Sequence, residues 1–355
     1  MCQRILIIKL GSIGDVLRTT PILYGLKDRF PESKITWLTY EESLEVLEGN
    51  KFIDRLFSLK LENVLGLLSE EFKLLINLDK DYPALALANL IKAEQKKGFG
   101  MDKDGNIIAL NPASEYSVRL GLDDDLKFYK NKKTYQELIF ECVELPYSLD
   151  YEYILELPKD SLEFAERFFI QEGVKSEDIL IGISTGAGKR FAHKMLSYEK
   201  IVEILEKLNK GLDVKIIILG GPLEIEINRK IKDLLSFPII DSGYSKLKNF
   251  SALVNRCNLV ISADTLPLHI AIALKKPVVA LFGPTCHQEI ELYGRGEKIV
   301  STIKCSPCYK KICNKKPNCM DLIESDKVYN TILKCISKYC LPSYKHRPIS
   351  SILKL

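Results

Sequence analysis

Short apolar runs recur along this chain, and each is followed by an amphipathic stretch. "RILIIK", "SKITWLTY" and "KLLINL" lie in the first half; "ILIGIS", "DVKIIILGG", "NLVISAD" and "PVVALFGPT" lie in the second. These runs are continuously apolar rather than alternating, which is the pattern of strands buried on both faces. Between them, "DVLRTTPILYGLKDRF", "SYEKIVEILEKLNKG" and "LKNFSALVNRC" place apolar residues at helical spacing. Strand–helix alternation with short loops predicts parallel sheets covered by helices on both sides. The stretch from about 100 to 145 is less regular, with "DKDGN" as a turn.

The 355 residues exceed one ordinary core, and a length of this order suggests two domains of roughly 150 residues each. The boundary is expected near "LPYSLDYEYILELPK", which carries two prolines. The reading is therefore an α/β chain: a Rossmann-like domain over 1–155, a second over 156–330, and a helix with a basic tail over 331–355. In open parallel sheets ligands bind beyond the carboxyl ends of the strands. Two such domains facing each other would leave an interdomain cleft for them.

Charge and composition exclude several classes. The net charge is only +4, from 51 basic and 47 acidic residues. That excess, without interleaved basic and aromatic residues, argues against a nucleic-acid partner. No run of about 18 apolar residues suggests a membrane span. The N-terminal apolar run ends at Lys9, too soon for a signal peptide, so a cytoplasmic location is expected. The ten cysteines are then thiols or metal ligands rather than disulfides.

The loop after the first strand, "LGSIGDVLRTTPIL", turns a strand into a helix with Gly11 and Gly14. In nucleotide-binding folds that turn cradles phosphate, but Asp15 would repel one. "GSIGD" also lacks the G-x-G-x-x-G spacing. Lys9, Gly11 and Gly14 therefore form an open loop presenting a carboxylate. A carboxylate in that place suits removal of a proton from a hydroxyl.

Phosphate-binding features lie in the second half. "STGAGKRFAHK" resembles a P-loop, yet Ile183 stands at the required first glycine and Arg190 at the required hydroxyl. It remains a glycine-rich strand-end loop carrying Lys189, Arg190 and Lys194. "SADTLPLH" follows another strand and opens a helix: Thr265 is placed to cap it, Pro267 suits its first turn, and His269 follows one turn later. A helix N-terminus attracts anions. "GGPLE" ends the intervening strand and places Glu224 where an acid can accept from ribose hydroxyls.

These stretches resemble glycosyltransferase family 9, the heptosyltransferase group of lipopolysaccharide synthesis. "ILIIKLGSIGDVLRTTPILYGLKDRFPESKITWL" is similar to its N-terminal signature and "ISADTLPLHIAIALKKPVVALFGPT" to its C-terminal one. The likeness runs from about residue 4 to 330. It implies a GT-B fold, with the acceptor on the first domain and the nucleotide sugar on the second. It implies inverting transfer of a heptose from an ADP-activated donor to a lipid-linked core oligosaccharide, with no cofactor required. Such an acceptor would bring the enzyme to the inner face of the cytoplasmic membrane. By motif, Asp15 would be the general base, and Thr185, Lys194, Glu224, Asp264, Thr265 and His269 would contact the donor. Leu266 departs from the glycine common at that position, which leaves room for another nucleotide sugar or another surface-glycan acceptor. A nucleotide-sugar sensor is a weaker rival, since a binder needs no base.

"CSPCYKKICNKKPNC" spaces Cys305, Cys308, Cys313 and Cys319 as C-x2-C-x4-C-x5-C. Four thiolates at that spacing can close a structural zinc site or hold an iron–sulfur cluster; reduced thiols packed in a loop are the alternative.

Overall fold

The computed structural model describes residues 3–188 and 192–340, without the side chain of Ala192. Lys189, Arg190 and the basic tail from 341 lie outside the described residues. The chain divides into two compact units: Met1–Glu156 with Gln288–Glu291, and Leu157–His287 with the described residues from Leu292 on.

The first unit holds β1 (Arg4–Ile8), β2 (Lys34–Thr39), β3 (Arg55–Ser58), β4 (Glu71–Asn77), β5 (Lys92–Met101) and β6 (Ile107–Ala109). They form one sheet in the order β3-β2-β1-β4-β5-β6. All neighbours run parallel except β6, which returns antiparallel along β5. The second unit holds β7 (Leu180–Ser184), β8 (Lys215–Leu219), β9 (Ile240–Asp241), β10 (Leu259–Ala263), β11 (Val278–Phe282) and β12 (Gly296–Val300). Its sheet runs β12-β11-β10-β7-β8-β9 and is parallel throughout. Each unit thus repeats the doubly wound order in which the chain crosses over beside its first strand. That switch point lies between β1 and β4 in the first unit and between β7 and β10 in the second. Loops on either side of it splay apart, which opens a crevice for a ligand.

The continuous apolar runs become the sheet centres. Ile5 to Ile8 and Leu259 to Ile261 are wholly buried, each such aliphatic side chain contributing about 1.5–3 kcal/mol. Helices cover the sheet by one apolar stripe: Ile201, Ile204, Leu205 and Leu208 form it on the helix Tyr198–Gly211, whose Ser197 accepts from the Lys200 N–H as N-cap.

The structure departs from the sequence pattern at three places. "DVLRTTPILYGLKDRF" is two helices, Ile13–Thr19 and Ile22–Arg29. Pro21 has no N–H to offer the Leu17 carbonyl four residues back; the Thr20 hydroxyl donates to that oxygen instead, at 2.7 Å. "ALALANLIKA" is helical only to Leu90, and Lys92 onward joins β5. Its apolar residues fit helix and buried strand equally, and pairing with β4 decides. The edge strand β12, "GEKIV", has too few apolar residues to show as a strand in the sequence.

Among the described residues, no helix is long and apolar enough to cross a membrane.

Candidate functional site

Asp15 sits in the first turn of the helix Ile13–Thr19, just beyond β1. Ser12 occupies the N-cap position but does not cap. Its hydroxyl donates to Asp15 Oδ2 at 2.7 Å. The Arg18 guanidinium, one turn on, reaches Asp15 Oδ1 at 2.8 Å and lies over the Tyr135 ring at 3.9 Å. Thr19 links the Asp15 carbonyl to the Tyr135 hydroxyl, with 2.7 Å on each side. The Asp15 side chain stays 35% exposed. A carboxylate so held is oriented by Ser12, paired with Arg18, and open to a substrate.

The loop beneath Asp15 is held by Asp79, which sequence reasoning missed. Asp79 follows β4, the strand beside β1 across the switch point. Its Oδ2 accepts from the N–H groups of Leu10 at 2.9 Å and Gly11 at 2.6 Å, and lies 3.3 Å from Lys9 Nζ. Its Oδ1 accepts from the Asp81 N–H. Asn77 fixes this strand end, accepting from the Asp79 N–H and donating to the Phe99 carbonyl. Burial opposes the charge on Asp79, but Lys9 and the N–H groups of Gly11 and Asp81 outweigh it and hold the carboxyl below its usual range. Burial likewise opposes the charge on Lys9, and Tyr135, Asp79 and Asp15 hold that ammonium above its usual value. Lys9 is buried and donates to the Leu78 carbonyl. It braces the loop from below rather than lining its open side. Gly11 leaves little room to spare at this elbow: a Cβ there would stand 3.0 Å from Lys9 Nζ and 3.1 Å from Asp79 Oδ2, so both side chains would have to give. Gly14 is buried in the helix's first turn. The sequence alone does not place Asp79 here, since only the pairing of β4 with β1 brings it to this loop.

In the second unit, three of the expected residues converge at the switch point. Lys194, from the loop after β7, places Nζ 3.4 Å from Asp264 Oδ2 and 3.3 Å from the Asp264 carbonyl. Asp264, just past β10, reaches His269 Nε2 with Oδ1 at 3.5 Å. The Lys194 and Asp264 side chains are 16% and 15% exposed: shielded from bulk water, yet reachable. Thr265 is the N-cap residue of the helix Leu266–Ala273, but its side chain makes no capping bond. Its hydroxyl pairs with that of Ser262 at 3.0 Å.

Thr185 and Glu224 stand on the other side of β7. Thr185 is buried, and its hydroxyl donates to Asn228 Oδ1 at 2.6 Å. Asn228 in turn donates to Asp241 Oδ1 at 3.1 Å, so one amide ties the ends of β7 and β9 together. Glu224 Oε2 accepts from the Gly221 N–H at 2.8 Å, and its carboxylate covers Gly186, where any Cβ would collide with it. Asn228 was not visible as a site residue because it lies one helical turn past Glu224, within an ordinary amphipathic pattern.

The zinc expectation is not supported. Among the described residues, no group of three or more His, Cys, Asp or Glu side chains is arranged to hold a metal ion. None of the described cysteines, Cys305, Cys308, Cys313 and Cys319 included, forms a disulfide. Burial first, then the neighbouring Cys308 and Cys313, push the Cys319 thiol up to about 11, so it stays protonated. The loop acts as a brace. The N–H groups of Cys308 and Tyr309 donate to the Pro284 carbonyl at 3.0 and 2.9 Å, and Ser306 donates to the Gly283 carbonyl. The Tyr309 hydroxyl accepts from the Cys286 N–H at 3.2 Å. His193, next to Lys194, bonds the Lys311 carbonyl; burial holds its imidazole below the usual value against the pull of that bond.

Two Rossmann-like units, one with an open carboxylate at its switch point and one with cationic and small-residue loops at its own, define the architecture of a GT-B glycosyltransferase. The chain belongs to glycosyltransferase family 9, the heptosyltransferase family, whose model matches residues 64–318. It is 25% identical over 291 residues to the lipopolysaccharide core heptosyltransferase OpsX of Haemophilus influenzae, covering 78% of each chain. Among solved structures, it is similar to a family 9 glycosyl transferase from Veillonella parvula, with a TM-score of 0.72 and 23% identity over 94% of this chain and 97% of that one. It is also similar to the ADP-heptose lipopolysaccharide heptosyltransferase II of E. coli, with a TM-score of 0.67 and 15% identity over 94% and 98%.

Proposed function

We propose that this protein is an inverting heptosyltransferase that moves a heptose from an ADP-activated donor to a lipid-linked core oligosaccharide in lipopolysaccharide biosynthesis. The observation that carries the reading is Asp15, oriented by Ser12 and Arg18 yet open, on a chain whose other unit gathers Lys194, Asp264 and His269. The family relationship and the named activities of OpsX and the E. coli enzyme support it. The acceptor would bind at the 10–15 loop of the first unit, and the donor at the strand-end loops of the second.

Inversion follows from one direct displacement at the anomeric carbon. Asp15 takes the proton from the attacking acceptor hydroxyl as the new bond forms. The bond to the diphosphate breaks, and the departing charge is met by the Lys194 ammonium and the N-terminus of the helix Leu266–Ala273. Asp264 holds Lys194 and His269 in place, and Glu224 accepts from the donor's ribose hydroxyls. With protein cations meeting the diphosphate, we assign no catalytic metal, so turnover should persist in EDTA. The acceptor places the protein on the inner face of the cytoplasmic membrane.

Donor screening tests the assignment. ADP and ADP-heptose should raise the melting temperature, and ADP-heptose should be hydrolysed slowly without acceptor. A response confined to uridine or guanosine diphosphate sugars would refute the donor. Gly186→Ala tests the ribose contact separately. The added methyl displaces the Glu224 carboxylate and should raise the donor KM roughly tenfold, equivalent to about 1.4 kcal/mol. Acceptor KM should not move.

A further inference from the structure

One charged group in the first unit takes no part in the mechanism above. Lys80 follows Asp79 directly, on the loop that holds Gly11 beneath Asp15. Its Nζ donates to the Ser117 carbonyl at 2.7 Å and lies 4.6 Å from the centre of the Phe99 ring. Gly121 leaves it room, since a Cβ there would stand 2.9 Å from Nζ. Among the described residues, no carboxylate lies within ion-pair distance of this ammonium. Two other lysines of this unit are differently placed: Lys9 is neutralised by Asp79, and Lys97 pairs with Glu144 at 2.6 Å.

A half-buried cation without an acid is costly to keep. Burial first, then Lys127, with Lys9 a smaller contribution, draw Lys80 down to about 8, against the pull of Cys142 and Glu289. It therefore still carries its charge at neutral pH. A methionine of similar length would fill the space against Phe99 without that cost. Natural chains carry such a destabilising charge where a ligand uses it.

The geometry points to Lys80 as the binding group for an oxyanion of the acceptor, a carboxylate or a phosphate ester, beside the hydroxyl that Asp15 deprotonates. One carbonyl and one aromatic face use part of the ammonium's donor capacity, and the rest is available to a charged oxygen. The inference rests on the acceptor reading of the first unit.

The test is thermal denaturation of the full chain at pH 7 with inorganic phosphate or acetate as probe. Lys194→Met serves as background, because it removes the donor-side cation. In that background phosphate or acetate should still stabilise, and adding Lys80→Met should raise the concentration needed at least tenfold. Lys80→Arg should restore binding. Whichever anion responds identifies the class. Without anion, Lys80→Met should melt no lower than its parent. Stabilisation should fade as pH rises past about 8 and Lys80 loses its proton. Equal anion dependence with and without Lys80→Met would overturn the inference. So would a lower melting temperature for Lys80→Met, which would make Lys80 a structural tie to Ser117. A wild-type protein that ignores ADP would count against the transferase reading alone, and the anion result would stand.

Discussion

Asp15→Asn should remove nearly all turnover and leave donor binding intact. Asparagine keeps the shape of the side chain and can still accept from Ser12, which now bonds Asp15 Oδ2 at 2.7 Å. It cannot take a proton. General-base catalysis is worth about 10²–10⁴ in rate, and a fall in kcat of that size is expected. The proposed donor contacts belong to the other unit, so the ADP melting shift should match that of the wild type. Stability should change little: Arg18 loses its partner at 2.8 Å but keeps its place over Tyr135 at 3.9 Å. Single-turnover kinetics beside an ADP thermal shift separate the two effects. A variant that retains a tenth of the wild-type kcat would rule out Asp15 as the base.

Asp15 was legible in the sequence because its type conflicted with its place. A strand-to-helix turn with two glycines invites a phosphate, and an acid there points to another task. Lys194, Asp264 and His269 were legible for a related reason: each belongs to a segment that follows an apolar run ending abruptly in small or polar residues, so each had to lie in the loop or first helical turn beyond a strand. That β7 and β10 are neighbours, which brings Lys194 to within 3.4 Å of Asp264, depends on the crossover order of the sheet. Asp79 and Lys80 were hidden by the same fact. They come more than sixty residues after the loop they serve, and only the pairing of β1 with β4 brings them beneath it. Asn228 was hidden differently, as one polar residue in an amphipathic helix, made structural by Thr185 and Asp241 on other strands. The cysteine spacing misled because it measures sequence distance alone. In the fold, Cys319 packs with Met320 over Gly283, and the segment carrying Cys308 is hydrogen-bonded to Pro284.

Lys194→Met should cost about as much in rate as the loss of the base, but through the donor. Its ammonium lies against the Asp264 loop, with Nζ 3.3 Å from the Asp264 carbonyl. As the diphosphate leaves, negative charge builds on its oxygens, and a fixed donor aimed at developing charge is worth about 2.7–4 kcal/mol, or 10²–10³ in kcat. The effect should divide between constants in a telling way. Ground-state ADP-heptose already carries two phosphate charges, so affinity should weaken as well, and the ADP melting shift should shrink. Asp15→Asn should leave that shift alone. Removing Lys194 also takes one cation away from Asp264, an acid 15% exposed in the proposed donor site; the repulsion adds to the loss. Lys194→Met with Asp264→Asn should therefore bind ADP better than Lys194→Met alone, although it remains slow in transfer. If the double variant bound no better than the single, Asp264 would not face the diphosphate, and Lys194 would act as a tether of its loop rather than as the charge that receives the leaving group.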